Sequence, residues 1–328
     1  MNNMQSDRRV ISRLVCALLV SSAALAGAAD YPEKAVRFVV GFTPGGPSDL
    51  VARLLGQKLA ESWGQQVVID NRAGAGGNIA AEIVAKAPGD GYTLLLGNNS
   101  ILATNAALYG KLAYDPVRDF APVILVASQP NILVVHPSLP VKTVKELITL
   151  AKSKPGQLNY ASSGSGAAAH LSGELFKAMT RVDMVHIPYK GAGPALNDVL
   201  AGQDQLMFAT SLSVVPHIKS GRLRALGVTT AARMKTMPEL PTIAEAGVPG
   251  FEATTWHGIV MSSNTPAALV SRVNADTAKV LNLPDIRERF SALGGEIIGG
   301  TPDDFAAYIK KEIPKWTKVV RDSGARAD

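Results

Sequence analysis

The sequence predicts an α/β fold of two domains joined by a hinge, with the second domain inserted into the first. Short β-rich runs alternate with helical patterns along most of the chain, which is typical of parallel sheets covered by helices. A long apolar run over residues 121–135 interrupts this alternation, which then starts again. The length of 328 residues is enough for two domains of ordinary size.

The first block of elements covers residues 36–96. Residues 36–42, VRFVVGF, have the pattern of a buried strand. Apolar residues at helical spacing follow from Leu50 to Leu59, and Gly64 ends that helix. Two more strands are predicted over 66–69 and 92–96, with a helix over 78–87 between them.

The apolar run over 121–135 contains Pro130, which is disfavoured inside a central strand because proline has no N–H to donate. We therefore predict two strands that cross between the domains, with a break near Gln129 and Pro130. The first domain would contain residues 30–126 and 230–328, and the second domain residues 127–229. Later strands are predicted over 158–161, 184–188, 205–209, 222–229 and 255–261, and helices over 144–152, 167–179, 194–200, 266–281, 285–293 and 302–323.

Residues 1–29 have the three parts of a secretory signal peptide. The positive region contains Arg8, Arg9 and Arg13. An apolar, alanine-rich region over 14–25 and the small residues AGAA at 26–29 follow. Cys16 comes after Val15, where a lipoprotein signal needs a small residue, so we reject lipidation. The sequence thus predicts export, with cleavage near Ala29.

The charge of the chain is mildly positive, with 33 Lys and Arg against 27 Asp and Glu. Removal of residues 1–29 takes away three basic residues and one acidic residue, and leaves a net charge of 6 − 2 = +4. The basic residues are scattered and form no block, which argues against a nucleic-acid partner. No second run of about 18 apolar residues follows, so no membrane span is predicted over 30–328.

Three loops share one design, in which a strand ends, a glycine-rich turn follows and a helix begins. Loop 1 is TPGGPSD at 43–49, loop 2 is SSGSG at 162–166, and loop 3 is YKGAGP at 189–194. Glycine lets the backbone approach a ligand. A helix start offers unpaired N–H groups and a partial positive charge, which favour an anion. Because loops 1 and 2 fall in different predicted domains, we expect an anion in the cleft between them.

Four single residues need separate interpretation. A carboxylate facing an anion would repel it, so Asp49 is interpreted as the N-cap of a helix that begins at Leu50. His170 lies on the first turn after loop 2 and is predicted to face the cleft. Lys190 offers a charge-assisted bond to a carboxylate, although plain exposure is the commoner role of a turn lysine. Trp256 is predicted to pack in the hinge.

Catalytic and cofactor-binding interpretations fit poorly. GSGAAA at 164–169 satisfies the dinucleotide pattern G-x-G-x-x-A, but the next strand ends at Tyr189 and Lys190 without an acidic residue to hold a ribose. The sequence has no P-loop and no nucleophile elbow. The five histidines are far apart and lack metal-ligand spacing. We therefore predict a binding protein that is not an enzyme and needs neither a cofactor nor a metal.

The chain resembles the substrate-binding receptors of tripartite tricarboxylate transporters, the Bug family. The stretches that carry the resemblance cover residues 30–328 in family order and include YPEKAVRFVVGFTPGGPSDLVARLL, LNYASSGSGAAAHLSGELF, VHIPYKGAGPALNDVLAGQ and LPTIAEAGVPGFEATTW. The resemblance implies a type II periplasmic binding protein fold, with the ligand cleft between two hinged domains. One departure is Asp204, where the family usually has an apolar residue.

The resemblance also implies a periplasmic location and a small carboxylate ligand: a dicarboxylate or tricarboxylate, an acidic amino acid or an aromatic acid. In that family the counterparts of loops 1 and 2 hold a carboxylate, largely through main-chain N–H groups and water. The partners it implies are membrane permease subunits. The alternative, a sensor-kinase ectodomain that reads the closed receptor, stays open, and a monomer is expected.

The predicted ligand-binding residues come from the three loops and from strand ends nearby. They are Phe42, Thr43, Gly45, Gly46, Ser48, Asp49, Asn98, Ser162, Ser163, Gly164, Ser165, Gly166, His170, Tyr189 and Thr210. Asn99 and Ser211 are further candidates for the remaining walls of the cleft. The sequence does not specify which carboxylate is bound.

Overall fold

The computed structural model describes residues 31–292 and 295–327. The predicted signal peptide and Leu293, the predicted end of a helix, lie outside the described residues. The strands are β1 (Val36–Val40), β2 (Val67–Asn71), β3 (Thr93–Asn98), β4 (Phe120–Val135), β5 (Asn159–Ser162), β6 (Val185–Pro188), β7 (Leu206–Thr210), β8 (Arg224–Val228), β9 (Thr254–Ser262) and β10 (Glu296–Gly299).

The helices alternate with these strands. They are α1 (Pro47–Trp63), α2 (Asn78–Ala85), α3 (Asn105–Leu108), α4 (Val144–Ser153), α5 (Ala168–Thr180), α6 (Ala192–Leu200), α7 (Ser211–Lys219), α8 (Ala267–Leu281), α9 (Pro284–Ala292) and α10 (Pro302–Ser323). A 3-10 turn covers Ala75–Gly77, and a π-helical turn over Ser100–Thr104 runs directly into α3. None of the helices described is long and apolar enough to cross a membrane.

Both halves of the molecule have the same strand order. The first half runs β2-β1-β3-β9-β4, and the second half runs β6-β5-β7-β4-β8. In the first half β1 is parallel to β2 and β3, while β9 is antiparallel to β3. In the second half β5 is parallel to β6 and β7, while β4 is antiparallel to β7. This repetition agrees with the predicted pair of α/β domains; the residue boundaries 126 and 230 stay a prediction.

Strand β4 belongs to both halves. It pairs with β9 from Phe120 to Pro130, and with β7 and β8 from Asn131 to Val135. The predicted break at Gln129 and Pro130 is therefore wrong, because one strand of 16 residues runs through it. Pro130 is the last residue paired with β9, so its missing N–H falls at the end of that ladder, where it costs least.

Two helices begin at least two residues earlier than predicted. Helix α1 starts at Pro47 with Gly46 as its N-cap, so Asp49 is the third helical residue and the predicted N-cap role is wrong. Proline suits the first turn because its missing N–H would be unpaired there anyway. Helix α6 starts at Ala192, inside the predicted loop 3. The C-terminal end of α1 at Gly64, which has φ 65°, is as predicted.

Three elements were not predicted at all: helix α7, strand β10 and the helical segment formed by the π-helical turn and α3. Pro216 lies inside α7 and argues against a helix in the sequence. Strand β10 has four residues, of which only alternate ones are half-buried, so its apolar pattern is too short to be recognised.

The apolar core continues from one half into the other. One buried cluster lies in the first half around Phe38, and another lies in the second half around Met207. The third cluster spans both halves and includes Trp256 of β9 and Trp316 of α10. The indole N–H groups of Trp256 and Trp316 both donate to Oε2 of Glu312, at 3.0 and 2.8 Å. Trp256 therefore packs at the crossing between the halves, as predicted.

Candidate ligand-binding cavity

A narrow cavity lies between the two halves, and the centre of a water molecule can occupy about 50 Å3 of it. Its walls come from the ends of strands and the starts of the helices that follow them, in both halves. The lining residues are Phe42, Gly46, Pro47, Ser48, Asn98, Asn99, Ser100, Asn131, Ser163, Ala167, Ala168, Ala169, Ala192, Met207, Phe208, Ala209, Thr210, Thr255 and His257. In α/β folds, the carboxyl ends of the strands are the usual place for a ligand.

The cavity wall carries no ionised side chain. Among its lining residues, which all belong to the described part of the chain, none is Lys, Arg, Asp or Glu. His257 is the one imidazole on the wall, and burial lowers its pKa to about 4. Its Nε2 lies 2.9 Å from Oγ of Ser48, so the two side chains share a hydrogen bond. At neutral pH a bound anion would meet only uncharged hydrogen-bond donors.

Four helices begin at the cavity wall without a side-chain cap. The N-cap residues of α1, α5, α6 and α7 are Gly46, Ala167, Gly191 and Thr210, and none of them makes a side-chain capping bond. Away from the wall, Thr143 and Thr301 cap α4 and α10, whereas α2, α3 and α8 also lack a side-chain cap, so what distinguishes the four helices is their common position at the cavity. The first N–H groups of a helix have no acceptor within it. In these four helices no side-chain cap occupies them, although Pro47 in α1 and Pro194 in α6 have no N–H, so these two helices offer fewer donors.

Three side chains on the wall carry buried polar atoms without a partner. They are Nδ2 and Oδ1 of Asn99, Oγ of Ser100 and Nδ1 of His257. Nearby, Oδ1 of Asn131 has a hydrogen-bond partner, since Oγ1 of Thr255 donates to it at 2.9 Å. Buried polar groups in folded proteins nearly always have partners, so these atoms can form hydrogen bonds with a molecule in the cavity.

Asp49 supports loop 1 from behind the wall. Its carboxylate accepts hydrogen bonds from the Gly45 N–H at 2.9 Å, Nδ2 of Asn71 at 3.0 Å and Nε of Arg53 at 2.8 Å. Burial acts to raise the pKa of this carboxyl, but the hydrogen bonds from Arg53, Gly45 and Asn71 outweigh burial and lower it. Asp49 thus fixes the shape of loop 1, through contacts different from those of an N-cap.

Loop 2 is supported by two histidines. The Gly166 N–H donates to Nδ1 of His170 at 3.0 Å, and Oγ of Ser162 lies 2.6 Å from Nε2 of His186. The two imidazole rings stack with their centres 3.9 Å apart. Burial lowers the pKa of His170 to about 4, so its Nδ1 stays an acceptor at neutral pH. His170 does not line the cavity, contrary to the prediction, because its ring is turned toward the back of loop 2.

Loop 3 contributes Ala192 to the wall but not Tyr189. The Tyr189 hydroxyl lies 2.7 Å from Oδ2 of Asp198 and 2.7 Å from Oδ2 of Asp204, and points away from the cavity. Asp204, the residue that departs from the family pattern, is buried, and its carboxylate is one of the two beside the Tyr189 hydroxyl. Lys190 is exposed and does not line the cavity.

The two halves touch at the rim of the cavity through glycines. Thr43 of loop 1 lies directly against the Cα of Gly191 in loop 3. A β-carbon added to Gly166 would lie 2.9 Å from Oδ1 of Asn105, on the opposite half. Glycine has no β-carbon, so it lets the two halves come this close at positions 166 and 191. Gly166 also has a φ of 81°, a conformation that favours glycine. The rim is therefore closed along these loops.

The structure places six of the fifteen predicted residues on the wall: Phe42, Gly46, Ser48, Asn98, Ser163 and Thr210. Nine lie behind it or at the rim: Thr43, Gly45, Asp49, Ser162, Gly164, Ser165, Gly166, His170 and Tyr189. Of the two further candidates, Asn99 lines the wall and Ser211 does not.

Wall residues that the sequence did not suggest are Pro47, Ser100, Asn131, Ala167, Ala168, Ala169, Ala192, Met207, Phe208, Ala209, Thr255 and His257. Asn131 had a usable signal, because it is a polar residue within an otherwise apolar run.

Comparison with known proteins identifies the kind of receptor. The family model of the tripartite tricarboxylate transporter family receptor matches residues 51–325. This chain belongs to that receptor family. The chain is 37% identical to protein BugT of Bordetella pertussis over 316 aligned residues. The alignment covers 95% of this chain and 97% of BugT. Members of this family are solute-binding receptors and not enzymes, as the sequence predicted.

Two solved structures resemble this receptor in fold and sequence. R. palustris Rpa4515 with adipate is 42% identical, with a TM-score of 0.88 over 91% of this chain and 100% of that one. MatC (Rpa3494) from Rhodopseudomonas palustris with bound malate is 35% identical, with a TM-score of 0.85 over 88% of this chain and 100% of that one. The predicted two-domain periplasmic binding protein fold is confirmed.

A valine at position 46 should abolish ligand binding and leave the receptor folded. Gly46 has φ −79° and ψ 170°, and an added β-carbon would meet only the Thr43 carbonyl oxygen, at 3.4 Å. The backbone therefore accepts valine, but the side chain blocks the N-terminus of α1. We expect Gly46→Val to weaken carboxylate binding at least 100-fold by calorimetry and to keep the urea midpoint of the wild type. The control is Gly110→Val, an exposed site with open space around it. Wild-type affinity in Gly46→Val would contradict this role of loop 1.

The buried His257 should make stability fall in acid. Its pKa is about 4 in the folded protein and 6.5 as an ordinary histidine. Between these values the unfolded chain binds a proton that the folded chain excludes, so stability present above pH 6.5 is lost as the pH falls toward 4. The loss is roughly 3 kcal/mol at 1.36 kcal/mol per pKa unit.

The measurement is the urea unfolding free energy at pH 7.5 and 4.5. We expect His257→Gln to lose roughly 2–3 kcal/mol less than the wild type across this interval. His136→Gln, at an imidazole outside the cavity, should behave like the wild type. The same loss in His257→Gln and the wild type would contradict the assignment of a neutral buried ring.

Proposed function

We propose that this protein is an exported periplasmic receptor that encloses a small dicarboxylate in the cavity between its two halves. The observation that carries the proposal is the set of four uncapped helix N-termini around a wall without ionised side chains. Each N-terminus offers unpaired N–H donors and a partial positive charge, which together suit an anion.

The energetics favour several donors for each carboxylate. Removing a carboxylate from water costs several kcal/mol even after the protein relaxes. A hydrogen bond to a charged group contributes about 1.5–3 kcal/mol. Two or three N–H groups for each carboxylate therefore suffice, and one uncapped helix start can supply them. The cavity needs no lysine or arginine to bind an anion.

The distribution of the helix starts supports two carboxylates rather than one. Helix α1 belongs to the first half, whereas α5, α6 and α7 belong to the second half. The wall between them includes the apolar side chains of Phe42, Met207 and Phe208. This arrangement suits a ligand with two charged ends and a carbon chain between them. The adipate and malate of the two related structures are both of this type.

The proposed partner is a pair of membrane permease subunits. The family description of a tripartite transporter receptor supports this assignment. The rim contacts between loops 1 and 3, and between loop 2 and α3, join the two halves into one continuous surface. A permease that recognised this surface would distinguish the closed receptor from an open one.

A dicarboxylate should stabilise the receptor. We expect a thermal shift with malate, succinate or adipate, and a stabilisation of about 2.7 kcal/mol when the ligand is at 100 times its dissociation constant. Citrate, glutamate and benzoate test the other carboxylate classes, and glucose and thiamine serve as controls. The proposal fails if no carboxylate stabilises the protein while a sugar or a cation does.

Transport and sensing predict different phenotypes. Deletion of the gene should abolish high-affinity uptake of the carboxylate that binds, and the wild-type gene should restore it while the Gly46→Val gene should not. Uptake of labelled carboxylate by washed cells is the measurement. Unchanged uptake together with a loss of carboxylate-induced transcription would instead support a sensor-kinase partner.

A further inference from the structure

We infer that Asn99 recognises a hydroxyl group on the ligand, so that this receptor selects a hydroxylated dicarboxylate over the plain acid. The inference rests on the proposed function and adds a chemical requirement to it. In addition to two carboxylates, the side chain of Asn99 requires a third polar group on the ligand, between or beside them.

The side chain of Asn99 is buried without a partner. It lines the cavity with 0% of its surface exposed, and neither Nδ2 nor Oδ1 makes a hydrogen bond to any described residue. An amide left in this state is destabilising, because each unpaired group has lost its hydrogen bonds to water without gaining another. The neighbouring Asn98 differs, because its Oδ1 accepts a hydrogen bond from the Ile101 N–H at 3.1 Å. The two adjacent asparagines therefore have different tasks.

The backbone holds Asn99 in place. It lies between the end of β3 and the π-helical turn, with φ −55° and ψ −33°. The Tyr114 hydroxyl donates to the Ile101 carbonyl within this turn at 2.9 Å. The turn is buried throughout, including Ser100, Ile101 and Thr104. The amide is thus presented to the cavity by a fixed segment.

A carboxylate alone does not satisfy this amide. Ionised carboxylates only accept hydrogen bonds, so a ligand carboxylate can pair with Nδ2 of Asn99 and with the Ser100 hydroxyl. It has nothing to offer Oδ1, which is an acceptor. Turning the amide by 180° exchanges the two atoms but still leaves one donor and one acceptor at the wall. The complementary ligand group must therefore both donate and accept, or supply a separate donor.

A hydroxyl fits this requirement better than an ammonium group. A hydroxyl has one donor and two acceptor positions, which match the amide pair. An ammonium group would be buried beside a wall that has no carboxylate, and the neutral ring of His257 supplies no negative charge to compensate it. An unpaired buried charge costs far more than a neutral group. The cavity therefore favours a hydroxy acid over the corresponding amino acid.

The test compares acids that differ in one hydroxyl. The wild type is titrated by calorimetry with malate against succinate, and with 3-hydroxyadipate against adipate; aspartate tests the ammonium group. We expect the hydroxy acid to bind at least 10-fold tighter in one of the two pairs, and malate to bind tighter than aspartate. Asn99→Leu removes the donor and the acceptor at similar volume. It should weaken binding of the preferred hydroxy acid about 10-fold or more, and at least threefold more than binding of its plain partner.

The matched control is Asn264→Leu, an exposed asparagine outside the cavity wall, which should bind all of these acids like the wild type. The ligand-free unfolding midpoint of Asn99→Leu should equal or exceed that of the wild type, because the substitution removes two unpaired polar groups. A lower midpoint would indicate a structural role for Asn99. If leucine does not fit at position 99, Asn99→Ala, which is smaller than asparagine, allows the same comparison of hydroxy acid with plain acid.

Three outcomes would overturn the inference. Equal affinities of the wild type for hydroxylated and plain acids would show that the receptor does not recognise a hydroxyl. The proposed dicarboxylate function would still hold in that case. Equal losses for both acids in Asn99→Leu would mean that the amide contacts only a carboxylate or water. Tighter binding of aspartate than of malate would show that the site recognises an ammonium group instead of a hydroxyl. If no carboxylate binds at all, the proposed function itself fails, and this inference fails with it.

Discussion

The hydrogen-bonded ladder along β4 is the interaction on which the arrangement of the two halves depends. One strand pairs with β9 in the first half and with β7 and β8 in the second, so both sheets share a single backbone. Asn131 lies where β4 changes partners, and its side chain reaches the cavity wall. The helices that surround the cavity follow strands of these two sheets. Their N-termini therefore converge because the ladder fixes how the sheets meet.

Charged and neutral groups are divided between two layers around the cavity. The ionised side chains stand behind the loops, as in the pair of Asp49 with Arg53 under loop 1 and the pair of Glu174 with Lys177 on α5. The layer in front consists of N–H groups, hydroxyls, amides and a neutral imidazole. The ion pairs behind the loops hold the loops in place. The wall in front of them has no fixed charge of either sign.

The sequence was sufficient to predict the strand and helix alternation, the two-domain fold and the family. It did not predict which side chains face the cavity, because that depends on contacts between distant residues. Asp49 turns away since Asn71, on the next strand, donates to it. Tyr189 turns away since its hydroxyl lies 2.7 Å from a carboxylate oxygen of Asp198 and 2.7 Å from one of Asp204. His257 reaches the wall through the antiparallel register that places it opposite Asn98. None of these pairings has a local pattern that sequence inspection could detect.

The proposed use of backbone groups to compensate a ligand's charge has an evolutionary consequence. Main-chain N–H groups at a helix start are present whatever the side chains are, so wall substitutions that do not cover these groups, unlike Gly46→Val, would leave anion binding in place. Positions such as Asn99, Thr210 and Met207 are then free to vary with the shape and polarity of the nutrient, without a compensating change of charge elsewhere. A duplicated gene of this kind can acquire a new substrate through few mutations, each of which leaves a functional anion receptor.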